Sequence, residues 1–247
     1  MSAPLSQHLD NTDTLADPLP ALGMPGLLVM DVDSTLIDEE VIDELGEEVG
    51  VGDEIAAITA RAMNGELDFR QALDERVALL RGMPAQIFDR VYERLHFTNG
   101  AHELIDTLHA HGWKVGVVSG GFHEIVDRLA ADAHLDYHIA NRLGVDARRG
   151  MLTGEVVGDV VTKEVKLSRL RSWAQENDIA RIQTVAVGDG ANDLPMIGAA
   201  GLGIAFCAKP TVRTAAPHTI DERDLRKVLD FLQEQNNVRC RATAAIH

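Results

Sequence analysis

Cysteine is nearly missing from this chain: 247 residues hold only Cys207 and Cys240, in unrelated contexts. Two isolated thiols form neither a disulfide framework nor a zinc pattern, and they suit a reducing compartment. Positive charge is scarce as well. Lys and Arg number 23 against 39 Asp and Glu, a formal net charge of −16 with the acids spread along the whole chain. Such a surface cannot neutralise a phosphate backbone or an anionic lipid headgroup, which excludes nucleic acid and membrane as partners. An anionic substrate would therefore need a site built locally from metal, lysine or backbone N–H groups. Long apolar runs are absent too. The longest, MIGAAGLGIAFCA at 196–208, is too short and too glycine-rich to span a bilayer. The start, MSAPLSQHLDNTDTLADPLP, lacks the basic and apolar regions of a signal peptide. The expected location is cytoplasmic. No repeat or low-complexity block occurs, and the ten histidines show no ligand spacing.

What is present reads as alternation. An apolar fraction of 45% and a charged fraction of 25% are ordinary for a soluble globular protein. From residue 25 onward, β-branched runs alternate with helical patterns: LLVMDVD (27–33), KVGVVSG (114–120), TVAVGDG (184–190) and LGIAF (202–206). Three of the four are continuously apolar, as strands covered on both faces are. The expectation is an α/β fold, a Rossmann-like open parallel sheet. One interval breaks the rhythm. Residues 38–96 contain no convincing strand, and they read as helices near 38–49, 52–64, 68–81 and 84–95, broken at Asn64-Gly65 and Gly82-Met83-Pro84. Roughly 60 residues far exceed the dozen or so that a crossover needs. The spacing predicts a small inserted helical cap domain over the carboxyl end of the first strand. MLTGEVVG (151–158) reads as a hairpin or flap. The expected plan is a flexible extension (1–24), an α/β core (25–37 and 97–232), a cap (38–96) and a C-terminal tail (233–247).

Ligands of open α/β sheets bind outside the carboxyl ends of the strands. The residues expected there are Asp31 and Asp33 on the first strand, Ser119, Gly120 and Gly121 on the second, and Asp189, Asn192 and Asp193 on the third; Lys166 lies in the helical segment KEVKLSRLRSWA. Carboxylates gathered this way repel one another, and a hard divalent cation such as Mg²⁺ resolves the repulsion. With Asp31 and Asp189 as ligands, the metal becomes a local positive charge in an acidic protein. Ser119, the glycine N–H groups and Lys166 supply phosphate donors. Of the pair Asp31 and Asp33, one suits a nucleophile and the other a general acid and base. GDGAND is no dinucleotide motif, because Asp193 stands where the last glycine belongs.

DVDST, VVSGGF, the helix lysine and VGDGANDLPM together resemble the ordered motifs of the haloacid dehalogenase superfamily of phosphatases. More narrowly, EEVIDELG, ITARAMNGELDF, ERVALLRGM and IAFCAKP resemble its phosphoserine phosphatase branch, over about residues 27–232. The resemblance implies Asp31 as the nucleophile phosphorylated in turnover and Asp33 as general acid/base, its backbone carbonyl also on Mg²⁺. Asp189 would complete the protein's metal ligands, and Asp193 would orient the metal's neighbours. Ser119, Gly120 and Lys166 would hold the phosphoryl group, with Asn192 close by. In the cap, Glu40 would receive the substrate ammonium and Arg76 its carboxylate, under Met63 and Phe69. A guanidinium suits a carboxylate because it binds bidentately. The implied reaction is Mg²⁺-dependent hydrolysis of L-phosphoserine, the last step of serine biosynthesis, by a monomer or homodimer. The alternative is a phosphatase or phosphotransferase of the same superfamily acting on another small phosphomonoester. Asp38 stands where related chains often carry a neutral polar residue, an expected addition to the acidity of the cap entrance. In the 24 residues ahead of the core, no regulatory domain of the kind fused to some relatives is expected.

Overall fold

The computed structural model describes residues 19–232. The C-terminal tail expected over 233–247, and most of the expected N-terminal extension, lie outside the described residues. Seven strands form one sheet: β1 (Leu27–Met30), β2 (Lys114–Phe122), β3 (Tyr137–Asp146), β4 (Met151–Val157), β5 (Thr184–Gly188), β6 (Leu202–Phe206) and β7 (His218–Ile220). Their order is β4-β3-β2-β1-β5-β6-β7. All neighbours are parallel except β3 and β4, which form an antiparallel hairpin.

β1 is apolar throughout because both of its faces are covered. Successive side chains alternate across a sheet, and Leu28 and Met30 enter one buried cluster while Leu27 and Val29 enter another. The first cluster packs under α5 (Ala101–Ala110) and α6 (His123–Asp132). The second packs under α7 (Lys163–Glu176) and α8 (Leu194–Ala199). A short helix, α9 (Pro210–Ala215), joins β6 to β7.

Two strands escaped the sequence reading. β3 mixes buried, half-buried and exposed positions without a β-branched run or an alternation, and β7 has only three residues. A further correction concerns the extension expected over 1–24. Its last residues, from Leu19, are packed: Ala21 and Leu22 are buried. The Gln183 side-chain amide donates to the carbonyls of Ala21, Met24 and Pro25 and accepts from the Ala21 N–H, while the Trp113 indole N–H donates to the Leu22 carbonyl. A buried amide with its donors and acceptors matched holds the chain against the sheet.

Between β1 and α5 run the helices α1 (Val41–Val49), α2 (Gly52–Met63), α3 (Phe69–Ala78) and α4 (Ile87–Tyr92). Gly50 ends α1 in the left-handed conformation at φ 78°, the usual helix stop. Asp68 and Gln71 begin α3 with a reciprocal capping box. The two connections to the sheet lie side by side: Ile37 bridges Phe97, and the Asp38 N–H donates to the His96 carbonyl (3.0 Å). The insert is also held at its far end. Gly82 N–H donates to Leu152 O, Leu152 N–H to Met83 O and Ala85 N–H to Gly150 O (2.8, 2.8 and 2.9 Å), so the insert covers the outer edge of β4. Its apolar residues, among them Leu45, Ile55, Leu73 and Phe88, belong to the same buried cluster as Leu28 and Met30.

That continuity makes a testable statement. Leu45 is fully buried, so Leu45→Ala is expected to cost about 3 kcal/mol. Denaturant unfolding followed by fluorescence and circular dichroism should remain one coincident transition. Separate transitions would show that the insert folds on a core of its own.

Candidate active site

Strand register brings distant motifs level. Met30 on β1 pairs with Val117 on β2 and with Val187 on β5. Asp31 therefore leaves β1 beside Ser119 and Asp189, each two residues past its paired valine. The Asp31 N–H still donates to the Val187 carbonyl (3.0 Å). β1 itself stops at Met30, so Asp31 and Asp33 sit beyond the strand rather than at its tip. Val32–Leu36 form a wide helical turn in which Asp33 is extended and Ser34 is left-handed at φ 55°. Ser34 is held there by its N–H to the Glu39 carbonyl (3.1 Å) and its hydroxyl to Glu40 Oε1 (2.7 Å).

At the floor lies Lys166, on α7 and fully buried. Its Nζ is 2.7 Å from Asp31 Oδ2 and 2.7 Å from Asp193 Oδ1. Asp193 Oδ2 accepts from the Gly190 N–H (3.0 Å). Burial opposes the Lys166 charge, but Asp31 and Asp193 outweigh it and hold the ammonium above its usual range. Ser119 is buried as well. Its Oγ accepts from the Gly121 N–H (2.8 Å) and donates to Asp33 Oδ2 (3.3 Å). A Cβ at Gly121 would lie 2.8 Å from Asp33 Oδ2 and 3.0 Å from Ser119 Oγ, so a side chain here would push these groups out of place. Asp33 Oδ1 accepts from the N–H of Val41 (2.8 Å), the first residue of α1.

Above this floor is a cleft of about 440 Å³ between sheet and insert, lined among others by Asp31, Asp33, Glu40, Met63, Phe69, Arg76, Gly120, Asp189 and Asn192. The insert residues thus meet the strand-end residues in one cavity. Ser119, Lys166 and Asp193 stand behind its wall. Met63 and Phe69 are exposed apolar side chains at its edge, and a Cβ at Gly120 would lie 3.4 Å from the Phe69 ring. The sequence reading gave no part in the cleft to Ile42, Leu73, Phe122, Lys209, Thr211 and Val212, which also line it; for Lys209 the string IAFCAKP was the available signal. Asp38 corrects an expectation. Its carboxylate pairs with Arg223 and accepts from the Thr98 hydroxyl, and it does not line the cleft.

The carboxylates strain against one another. Burial, with Glu40 and Asp31 nearby, pushes Asp33 up to about 7. Burial and Asp31 likewise raise Asp193 to about 7, and burial, Asp31 and Glu40 raise Asp189 to about 6. Glu40 is raised by burial, against its hydrogen bond from Ser34. Arg76 is lowered by burial and supported by Asp43, Glu40 and Asp33. Carboxylate oxygens of Asp31, Asp189 and Asp193 come within 4.8 Å of one another. Hard oxygen donors at this spacing, whose charge one lysine does not balance, fit a divalent cation.

A second cluster joins His123 and Asp127, four residues apart on α6, to His138 on β3. The Ala140 N–H donates to His123 Nε2 (3.2 Å), which leaves Nδ1 as the protonated nitrogen facing Asp127 Oδ1 (2.6 Å). His138 Nε2 lies 3.1 Å from the same oxygen. This group is closed by its own hydrogen bonds.

Fold and cleft define a class: an open α/β hydrolase that gathers aspartates and a buried lysine at its central strand ends, beneath a helical insert. The family profile of haloacid dehalogenase-like hydrolases matches residues 28–198, and the chain belongs to that family. It is 64% identical over 209 residues to a phosphoserine phosphatase of Streptococcus thermophilus, spanning 85% of this chain and 96% of that protein. A solved structure described as a phospho-aspartyl intermediate analogue of phosphoserine phosphatase superposes with a TM-score of 0.79 at 44% identity, covering 85% of this chain and 99% of that one. A substrate-bound phosphoserine phosphatase complex does so with a TM-score of 0.79 at 43% identity, covering 84% and 98%.

The raised carboxyls yield a pH prediction. Asp33, Asp189 and Asp193 hold protons in the folded state up to about 7, 6 and 7, whereas the unfolded chain releases them near pH 4. The folded state binds more protons between these limits, so the contribution of the three groups to stability falls as pH rises through that window. A divalent cation binds the deprotonated set. Added Mg²⁺ should therefore raise Tm more at pH 8 than at pH 5.5, by calorimetry. Equal shifts at both pH values would contradict a cation among these carboxylates.

Proposed function

We propose that the chain hydrolyses L-phosphoserine to L-serine and phosphate in the cytoplasm, as the last step of serine biosynthesis. One observation carries the reading beyond family membership: Glu40 and Arg76, both on the insert, line the same cleft as Asp31 and Asp189. An amino-acid phosphomonoester has an ammonium and a carboxylate besides its phosphate. One acid and one base lining the same cleft as the reacting carboxylate suit that pair of charges, and the guanidinium can take the carboxylate bidentately. Insert and sheet act as cap and core in this reading, with Met63 and Phe69 closing over the substrate.

Asp31 attacks phosphorus in line with the seryl oxygen. Its carboxylate is oriented by Lys166 and by the Val32 N–H (2.8 Å). As the P–O bond breaks, Asp33 gives a proton to the departing alkoxide. A carboxyl raised to about 7 can carry that proton near neutral pH, as a general acid must. The products of this half-reaction are L-serine and an acyl phosphate on Asp31. Asp33, now ionised, takes a proton from water as the water attacks phosphorus, and phosphate departs with Asp31 restored. The Gly120 and Gly121 backbone, Ser119 and Lys166 receive charge on the phosphoryl oxygens. Asp31, the Asp33 backbone carbonyl and Asp189 would hold Mg²⁺, which supplies positive charge against the phosphoryl oxygens when bound. Asp193, already held by Lys166 and Gly190, keeps these ligands in place.

The first test is phosphate release from L-phosphoserine, phosphothreonine, a sugar phosphate and an aryl phosphate, with Mg²⁺ and with chelator. Preference for phosphoserine, lost on chelation and in Asp31→Asn, is the expected result. Metal-dependent preference for another ester would keep the chemistry and refute the substrate. Asp33→Asn should lower kcat by roughly 10²–10⁴-fold. Arg76→Ala should raise KM for phosphoserine by about 10-fold or more while leaving an aryl phosphate nearly unaffected. Equal losses on both substrates would remove Arg76 from specificity.

A further inference from the structure

One cation in the cleft has no task in the chemistry above. Lys209 lines the cavity beside Thr211 and Val212, just past β6, and it is exposed. Its Nζ faces Met63 Sδ at 3.9 Å, across the mouth on the last residue of α2. Nearby arginines are taken: Arg213 pairs with Asp221 and Arg223 with Asp38. Lys209 pairs with no carboxylate among the described residues; its polar contact is the Met63 sulfur. In a chain with 39 acids against 23 bases, a cation kept clear of carboxylates is left for another anion.

The backbone holds it there. Cys207 is left-handed at φ 46°, a conformation side chains other than glycine rarely adopt, and its N–H is anchored on the Ile220 carbonyl (2.7 Å). Ala208 is buried. Pro210 restricts the residue before it to extended backbone, and Lys209 has φ −63° and ψ 153°. The ammonium is thus carried from a fixed backbone position at the core side of the mouth.

Charge decides what it can do. The acids lining the cleft are Asp31, Asp33, Glu40 and Asp189, and the bases are Arg76 and Lys209. Lys166 is buried and occupied by Asp31 and Asp193. A phosphomonoester that approaches as a dianion therefore enters a cleft lined by four carboxylates and two cations. We propose that Lys209 is a positioning residue for substrate entry: it draws the phosphate end of the anionic ester into the acidic cleft and aligns it beneath Met63. The proposal rests on the phosphomonoester reading but not on serine as the alcohol. Lys209 touches no reacting atom, so its effect falls on kcat/KM and not on kcat.

The experiment compares wild type with Lys209→Gln, Lys209→Glu and Lys209→Arg on L-phosphoserine plus Mg²⁺, at low salt and near 0.5 M salt. Gln keeps the stem against Met63 and removes the charge. It should raise KM about ten-fold at low salt with kcat within roughly two-fold; Glu should raise KM further, and Arg should restore it. High salt, which shortens the screening length from about 10 Å at 0.1 M toward 3 Å at 1 M, should close most of the gap. A KM change that persists at high salt would mean packing against Met63, and an unchanged KM in Lys209→Gln would mean no role; either overturns the proposal. Binding of inorganic phosphate with Mg²⁺, by titration calorimetry, gives a readout without turnover and should weaken in the same order. If wild type prefers another phosphomonoester, the substrate assignment fails, and the same series on that ester still decides Lys209.

Discussion

The buried ammonium of Lys166 between Asp31 and Asp193 is the interaction on which the rest of the site depends. A charge removed from water is tolerated only when closely paired, and both of its carboxylates stand 2.7 Å away. Those contacts tie the end of β1, the loop after β5 and the first turns of α7 into one unit. The unit still holds more negative than positive charge once Asp33 and Asp189 are added. That surplus raises the neighbouring carboxyls, makes a hard cation the fitting complement, and leaves Asp33 able to carry a proton near neutral pH. Catalytic capability here follows from an imbalance that folding enforces.

The insert belongs to the same electrostatic system. Its first helical N–H, from Val41, holds Asp33, while Glu40 raises both Asp33 and Asp189. Its apolar side shares a buried cluster with the sheet, and its last loop pairs with β4. The β3–β4 hairpin, which has no residue in the cleft, thereby helps set the position of Glu40 and Arg76. A part of the fold remote from the chemistry acts on it through backbone hydrogen bonds.

Much of the site was legible because strand-end acids are physically conspicuous: a run such as LLVM has no reason to lead into two carboxylates except to present them. Lys166 was legible from its helix and Asp189 from the turn after β5. Other features were hidden for physical reasons. β3 pairs with β2 over its first half and with β4 over its second, and its exposed positions are His138, Arg142 and Val145, so its pattern resembles a loop. Leu19–Met24 carry no periodicity, and their order comes from Gln183, some 160 residues away. Asp38 looked like added acidity until Arg223 answered it, and His123 and His138 meet at Asp127 only because β3 lies beside α6.

Sequence by itself determined the layers and the cast: apolar runs long enough for two-sided burial, a helical interval too long for a crossover, and acids, glycines and one lysine at the places where strands and helices end. These are local properties, set by periodicity and by the cost of burying charge. Which carboxylates share a proton, a lysine or a cation was decided by tertiary structure alone. It depends on the register that sets Met30 level with Val117 and Val187, and on an insert folded back so that Glu40 and Arg76 face Asp31. Coulomb interactions fall with distance through space, and that distance exists only once the chain has closed.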